Sequence, residues 1–101
     1  MTAVVRLLGE LLDAAGELPF ALDGEHRDVR ISGVVFDSRR VTSGSLFCCL
    51  PGEEHDGHDF AAEAVANGAA ALLCERVLPL GTPQLMVSDT RAAMGHLAAA
   101  F

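Results

Sequence analysis

Residues 46–50 read Leu-Phe-Cys-Cys-Leu, with a Ser-Gly pair before them at residues 43–44 and a Pro-Gly pair after them at residues 51–52. A short apolar run between turn signals is typical of a strand that is buried on both faces. Cys48 and Cys49 are neighbours in this strand, so their side chains should point to opposite faces of the sheet. The run therefore predicts a central strand of a largely parallel sheet.

Three more apolar runs flank this strand in the sequence. Residues 31–36 predict a strand that is interrupted at Ser32-Gly33 and passes into a loop at Asp37. Residues 69–74 and 85–87 predict two further strands, with Pro79 and Pro83 breaking the chain between them. Residues 17–30 are polar and acidic, which predicts a connection or an irregular edge strand.

Helical spacing of apolar residues predicts three helices. The first covers about residues 3–15, with Gly16 at its C-terminal end, and the second covers residues 60–67, with Asp59 as its cap and Gly68 at its end. Ser88 or Asp89 should cap the third. Its apolar residues should lie on one side: Ala93, Met94, Leu97, Ala98 and Phe101.

Strands that alternate with helices predict an α/β fold, a small and largely parallel sheet flanked by helices. The chain has 101 residues, half of them hydrophobic, which suits one domain over residues 1–101 without disulfides or metal. The last helix reaches Phe101 with no polar tail. We therefore expect the chain to be a piece of a longer polypeptide.

Composition excludes several functions. The net charge is −7, from 14 acidic and 7 basic residues, and there is no basic stripe, so nucleic acids and membranes are poor partners. All basic residues are arginines; without lysine the segment cannot hold a Walker A loop or form a Schiff base. Three cysteines and no signal or membrane-spanning segment indicate a reduced, cytosolic compartment.

Polar residues follow two of the predicted strands. Asp37-Ser38-Arg39-Arg40 follows the first, and the glycine-containing loop 52–59 follows the second and leads into a helix N-terminus. Ligands of open α/β sheets bind beyond the carboxyl ends of the strands. Ser38 could donate to a phosphate or ribose oxygen, and Arg39 or Arg40 could hold a diphosphate. The alternative is an ordinary turn with solvated arginines.

A metal site at His55, His58 and Asp59, near Cys48 and Cys49, is a weaker interpretation. Histidines three residues apart in a loop lack the spacing of known zinc sites, and these cysteines belong to an apolar strand. No nucleophile has an adjacent base. We therefore expect neither a metal site nor a catalytic residue in this chain.

Several ordered blocks of the sequence carry a family resemblance. They are residues 33–41 (Gly-Val-Val-Phe-Asp-Ser-Arg-Arg-Val), 44–47 (Gly-Ser-Leu-Phe), 50–52 (Leu-Pro-Gly), 56–60 (Asp-Gly-His-Asp-Phe), Ala64, 68–70 (Gly-Ala-Ala) and 89–94 (Asp-Thr-Arg-Ala-Ala-Met). From Ile31 onward the chain resembles the N-terminal domain of the Mur ligases, cytoplasmic enzymes that build the peptide stem of peptidoglycan. Within the family it is most similar to the MurE type, which adds the third stem residue, and next to the MurF type, which adds the terminal dipeptide.

The resemblance implies a domain that binds the UDP end of a UDP-N-acetylmuramoyl peptide (UDP-MurNAc-peptide). Carried over by position, Phe36 and Ser38 would contact the UDP group. Glu53, Glu54 and His55 would line the same ligand, with both glutamates turned outward or toward uracil and ribose because two carboxylates beside a diphosphate are unfavourable.

In the family, ATP and Mg bind to a central domain, the incoming amino acid binds to a C-terminal domain, and neither domain is expected in this chain. The chain alone should therefore bind substrate weakly and catalyse nothing. Two functions of other classes stay open beside this one: a non-catalytic α/β interaction module, and a small metal-dependent hydrolase that uses His55, His58 and Asp59.

Overall fold

The computed structural model describes residues 5–14, 21–22, 28–52 and 54–101. Five of the strands form one sheet in the order β2-β7-β6-β5-β4, in which β4 to β7 are parallel and β2 is antiparallel to β7. These strands are β2 (Ala21–Leu22), β4 (Gly33–Val35), β5 (Ser45–Cys48), β6 (Ala71–Cys74) and β7 (Gln84–Met86). The prediction of a small, largely parallel sheet is confirmed.

The central strands are the most deeply buried part of the sheet. All four residues of β5 and all four of β6 are buried. β5 lies between β4 and β6, with Leu46 opposite Val34 on one side and opposite Ala71 on the other. The apolar run at residues 46–50 therefore forms the strand that its composition predicts.

In the described part of the chain, the two faces of this sheet are covered by three helices: α1 (Leu8–Ala14), α2 (Ala61–Ala66) and α3 (Thr90–Ala100). Cys48 packs with residues of α1 and α3, whereas Cys49 packs with residues of α2. The two cysteines therefore face opposite sides of the sheet, as predicted. Within the described ranges, no helix is both long and apolar enough to cross a membrane.

The first helix is shorter than its apolar spacing predicts. Residues Arg6–Leu7 form a strand, β1, that pairs antiparallel with β3 (Arg30–Ile31), and α1 begins only at Leu8. The backbone N–H of Leu8 donates to the carbonyl of Val29 at 2.8 Å. Pairing with a distant segment thus overrides local helical periodicity here. The predicted terminating glycine, Gly16, lies outside the described residues.

The caps of the other two helices match the prediction only in part. Asp59 does not cap α2; instead the Asp56 side chain accepts from the N–H of His58 and caps a 3-10 turn, Gly57–Phe60, that runs into α2. Gly68 follows α2 with a φ of 112°, which a glycine adopts without strain. Asp89 caps α3 as predicted, but Ala98 is exposed and lies off the buried side of that helix.

Candidate functional site

A cleft of about 510 Å³ lies beyond the carboxyl end of β4. Segments that are distant in sequence meet there: the turn after β4, strand β5, the loop before α2, and α2 itself. Its lining residues are Phe36, Asp37, Ser38, Arg39, Phe47, His55, Phe60 and Glu63. Ser38 and His55 therefore share one cleft, as the parallel arrangement of β4 and β5 predicts.

Asp37 shapes the turn that carries the polar side chains. The turn is a 3-10 helix, Ser38–Arg40, and the Asp37 Oδ1 atom accepts from the backbone N–H of Arg39 at 3.0 Å. The same carboxylate accepts from the Arg39 guanidinium, at 3.1 Å from Nε and 3.0 Å from Nη2. These hydrogen bonds lower the pKa of Asp37 and raise that of Arg39. The Arg39 fork is therefore already paired with a carboxylate.

Ser38 is buried and held by helix α2 and the residue after it. Its Oγ donates to Oε2 of Glu63 at 3.4 Å, and its carbonyl accepts from Nδ2 of Asn67 at 3.2 Å. The first of these bonds is long, so the hydroxyl can exchange this partner for a ligand atom at low cost. The second fixes the turn against the end of α2.

Aromatic rings line the open side of the cleft. Phe36 is 62% exposed and Phe60 is 36% exposed. The rings of His55 and Phe60 meet edge to face, with centroids 6.1 Å apart and planes at 75°. Exposed aromatic faces at a cleft favour a planar ring such as a nucleobase, because stacking gives contact without a specific hydrogen-bond pattern.

The loop that carries His55 is anchored by a close approach at its base. The N–H of Gly57 donates to the carbonyl of Leu50 at 2.8 Å. A Cβ atom at position 57 would lie 2.5 Å from the Leu50 nitrogen, so the approach requires glycine.

His58 is buried beneath this loop and does not line the cleft. Its Nδ1 lies 2.7 Å from Oδ1 of Asp56, and its Nε2 accepts from the backbone N–H of Glu75 at 2.9 Å. Asp56 also accepts from Arg76 at 2.9 Å, and the bonds from His58 and Arg76 hold the Asp56 pKa below its ordinary value. His58 therefore acts as a structural link between the loop and β6.

The structure brings some of the predicted site residues together and separates others. Arg40 lies in a neighbouring groove beside Val34 and Val35. Glu54 is exposed and is not part of the cleft lining, whereas Glu53 lies outside the described residues. The predicted residues that do line the cleft are Phe36, Ser38, Arg39 and His55.

Sequence reasoning gave no ligand role to four cleft residues: Asp37, Phe47, Phe60 and Glu63. Phe47 belongs to the central apolar run, so its composition indicated only core. Phe60 and Glu63 are three residues apart at the start of α2, a spacing that places side chains on one face of a helix. This spacing, directly after the candidate loop, was the sequence feature that could have identified both residues as part of the cleft.

One group of metal-ligating side chains occurs in the described part of the chain, and it is not the set considered from the sequence. Cys49, His58 and Cys74 are buried, with one potential ligand atom from each within 4.8 Å of the others. His55 and Asp59 are not members of it. Both His58 ring nitrogens already have hydrogen-bond partners, so the imidazole has no free lone pair. The absence of a metal site stays a prediction.

Comparisons with known sequences give consistent results. A family model described as "Mur ligase family, catalytic domain" matches residues 30–101. The UDP-N-acetylmuramoyl-L-alanyl-D-glutamate--2,6-diaminopimelate ligase of Geobacillus kaustophilus is 59% identical over 71 residues, which are 70% of this chain and 14% of that protein. The UDP-N-acetylmuramoyl-tripeptide--D-alanyl-D-alanine ligase of Escherichia coli is 48% identical over 85 residues, 82% of this chain and 19% of that protein.

A solved structure shows the same fold. A crystal structure of MurF from Acinetobacter baumannii superposes with a TM-score of 0.76 at 33% sequence identity, covering 99% of this chain and 22% of that one. The chain thus spans less than a quarter of the length of each of these three relatives.

Proposed function

The chain belongs to the Mur ligase family, and from that premise we propose that its cleft binds the uridine diphosphate end of a UDP-N-acetylmuramoyl peptide. The observation that carries the proposal is the convergence of Ser38 and His55, from separate segments, on one cleft with exposed aromatic rings. A nucleotide needs both features: a surface for its flat base and polar groups for its ribose and phosphates.

Five of the cleft side chains have a definite part in this proposal. Phe36 and Phe60 contact the uracil ring. Ser38 exchanges its long bond to Glu63 for a ribose or phosphate oxygen. Glu63 and Asp37 bring acceptors into the cleft, which suits the N–H and hydroxyl donors of uridine better than its phosphates.

The cleft offers fewer free side chains to the diphosphate than to the other parts of the ligand. The Arg39 guanidinium is paired with Asp37, and Arg40 reaches the ligand only from the neighbouring groove. We assign Arg40 and the unpaired side of Arg39 as the candidate diphosphate contacts. Glu54, which is exposed outside the cleft, stays away from the phosphates, and Glu53 is proposed to do the same.

The whole protein is proposed to be an ATP-dependent, cytoplasmic ligase of peptidoglycan precursor synthesis of the MurE type. ATP, with Mg in a central domain, would phosphorylate the terminal carboxylate of the substrate with release of ADP. The amine of diaminopimelate or a similar amino acid would then attack the acyl phosphate and expel phosphate. This domain contributes no catalytic group; it anchors a remote part of the substrate so that binding energy positions the reacting carboxylate.

A second candidate within the family is a ligase of the MurF type. The structural match to MurF and the 48% identity to the Escherichia coli tripeptide ligase favour it. The 59% identity to a diaminopimelate ligase favours the MurE type. Assay of a longer protein that contains this chain, with diaminopimelate and with D-alanyl-D-alanine as alternative amines, separates the two.

Titration of the 101-residue chain with UDP and with UDP-N-acetylglucosamine, followed by NMR, tests the cleft assignment. We expect chemical-shift changes concentrated at Ser38, His55 and Phe60. Ser38→Ala should weaken binding about two- to tenfold, the effect of one hydrogen bond, whereas Ser43→Ala, at an exposed serine outside the cleft, should not. Absence of localised shifts at millimolar ligand would instead favour the interaction module.

A further inference from the structure

Two buried cysteines face each other across the central strands. β5 and β6 are parallel, with Cys48 opposite Leu73, so the next residues, Cys49 and Cys74, are also opposite one another. The N–H of Cys49 donates to the carbonyl of Leu73 at 2.9 Å, which extends the pairing to this position. The two Sγ atoms are 3.8 Å apart. The thiols are therefore in direct contact on the face of the sheet that also carries Phe47.

We propose that Cys49 and Cys74 form a reversible intrachain disulfide when the chain meets a small two-electron oxidant such as hydrogen peroxide. Adjacent strands are separated by about 4.8 Å, and disulfides form between Cα atoms about 4.4–6.8 Å apart. The backbone therefore already has the spacing that the bond requires. Rotation of the two side chains brings the sulfur atoms from contact to bonding distance.

The two thiols are not equivalent, and this sets the order of the reaction. The two thiols are hydrogen-bonded, with either sulfur able to donate. This contact with Cys49, together with the nearby Arg76 charge, lowers the pKa of Cys74. The same hydrogen bond, with burial, raises the pKa of Cys49. Cys74 is therefore the sulfur that reacts first, because the thiolate is the nucleophile.

The reaction balances in two steps. The Cys74 thiolate attacks one oxygen of hydrogen peroxide; an S–O bond forms, the O–O bond breaks, and the released hydroxide becomes water with the Cys74 proton. The Cys49 sulfur then attacks the sulfenic sulfur of Cys74. An S–S bond forms, the S–O bond breaks, and hydroxide leaves as water with the Cys49 proton. Two thiols and one peroxide thus give one disulfide and two waters.

Both thiols are fully buried, so an oxidant reaches them only when the ends of the two strands open locally. Cys49 directly follows β5, and Cys74 is the last residue of β6, with a bend at Glu75 and Arg76 after it. Strand ends open locally more easily than strand centres. Cys48 offers no competing partner, because it lies on the opposite face of the sheet and burial raises its pKa to about 12.

A metal ion fits these residues less well than a disulfide does. The third candidate ligand, His58, has its Nδ1 atom against Asp56 and its Nε2 atom against the N–H of Glu75. Ligation through either nitrogen would break a bond that holds the loop. Disulfide formation between the two sulfurs requires no such loss.

The test is treatment of the folded 101-residue chain with hydrogen peroxide, followed by intact mass and peptide mapping. We expect a loss of two hydrogen atoms, a linked peptide that joins Cys49 to Cys74, and full reversal by dithiothreitol. Cys48→Ser serves as the matched control, a buried neighbour that should leave the reaction unchanged. Cys49→Ala and Cys74→Ala should each abolish the linked peptide.

Oxidation of the wild-type chain in denaturant is the control for the contribution of the folded structure. There Cys48 should compete with Cys49 for Cys74, so selective linkage of Cys49 must come from the folded structure. The proposal is overturned if the folded chain keeps three free thiols, or if Cys48 is linked as readily as Cys49. Tight stoichiometric zinc that protects both thiols in the purified chain would also overturn it.

Discussion

The Asp56 carboxylate joins the backbone and the ring of His58: one oxygen accepts from the His58 N–H at 3.0 Å and lies 2.7 Å from Nδ1. The other ring nitrogen accepts from the backbone N–H of Glu75, the residue directly after β6. One buried imidazole thus ties the loop that carries His55 to the central sheet. The cleft depends on this link, although His58 itself does not line it.

His58→Ala should lower the free energy of unfolding by about 1–3 kcal/mol, because the buried imidazole is lost together with the hydrogen bond that it accepts from the N–H of Glu75. Thermal unfolding followed by circular dichroism measures this as a fall in the melting temperature. His55→Ala is the matched control, since that ring is exposed, and it should leave the melting temperature almost unchanged. Equal losses in the two variants would contradict the structural role of His58.

Asp56 should make the stability of the chain depend on acid pH. Its pKa is lowered in the folded state by His58 and Arg76, so the unfolded state takes up protons first as the pH falls. The stabilisation is complete above the ordinary aspartate pKa of about 3.9 and is lost as pH falls toward the lower folded value. Urea unfolding of Asp56→Asn at pH values between about 6 and 3 should show a flatter decline than the wild type. An unchanged slope would exclude this residue as the cause.

Gly57→Ala should destabilise the chain, because the added Cβ would lie 2.5 Å from the nitrogen of Leu50 and 2.8 Å from its carbonyl oxygen. The added atom would meet the backbone of Leu50 rather than a flexible side chain. We therefore expect a loss of about 1–3 kcal/mol in the free energy of unfolding, as for overpacking. Gly81→Ala meets no atom within 4 Å and is the matched control. Chemical denaturation of both variants makes the comparison, and equal stability would refute the steric argument.

Phe36→Ala should weaken nucleotide binding without weakening the fold. Base stacking on an aromatic side chain is worth about 1–3 kcal/mol, so the Kd for UDP should rise by roughly five- to a hundredfold. Val77→Ala removes another exposed apolar side chain, 76% exposed and outside the cleft lining, and should leave Kd unchanged. NMR titration gives Kd for both. A normal Kd in Phe36→Ala would remove this ring from the site.

Gly95→Ala should stabilise the chain. Gly95 lies inside α3 and has no atom within 4 Å of its missing Cβ. Alanine is favoured over glycine in a helix interior by about 0.5–1 kcal/mol, so the melting temperature should rise by a few degrees. Thermal unfolding checks this, and a lower melting temperature would show that α3 needs glycine here for another reason.

The parts of the fold that the sequence predicted are those set by local pattern. Apolar runs between turn residues identified β5 and β6, and Asp89 marked the start of α3. Two predictions were wrong: the start of α1, because of a contact distant in sequence, and the Asp59 cap, because of a competing residue. The backbone N–H of Leu8 donates to the carbonyl of Val29, 21 residues later in the chain. Asp56 caps the 3-10 turn that leads into α2, so Asp59 lies inside this turn and not at a cap position.

The candidate site shows the same limit. The carboxyl-end rule for parallel strands brought Ser38 and His55 to one edge from the sequence alone. The contact of Ser38 with Glu63 depends on how α2 packs against the turn, and the contact of Cys49 with Cys74 depends on strand register. Local residue spacing determines neither the packing of α2 nor the strand register, so these two contacts could not be predicted from the sequence.

β4 forms an outer edge of the sheet, bonded to β5 on one side, and the turn after it carries Phe36 and Ser38. Substitutions in that turn alter one wall of the cleft without disturbing the packed centre formed by β5 and β6. Evolution can therefore retune ligand preference in this region while the hydrophobic interior persists, an arrangement suited to a scaffold whose descendants recognise a series of related molecules.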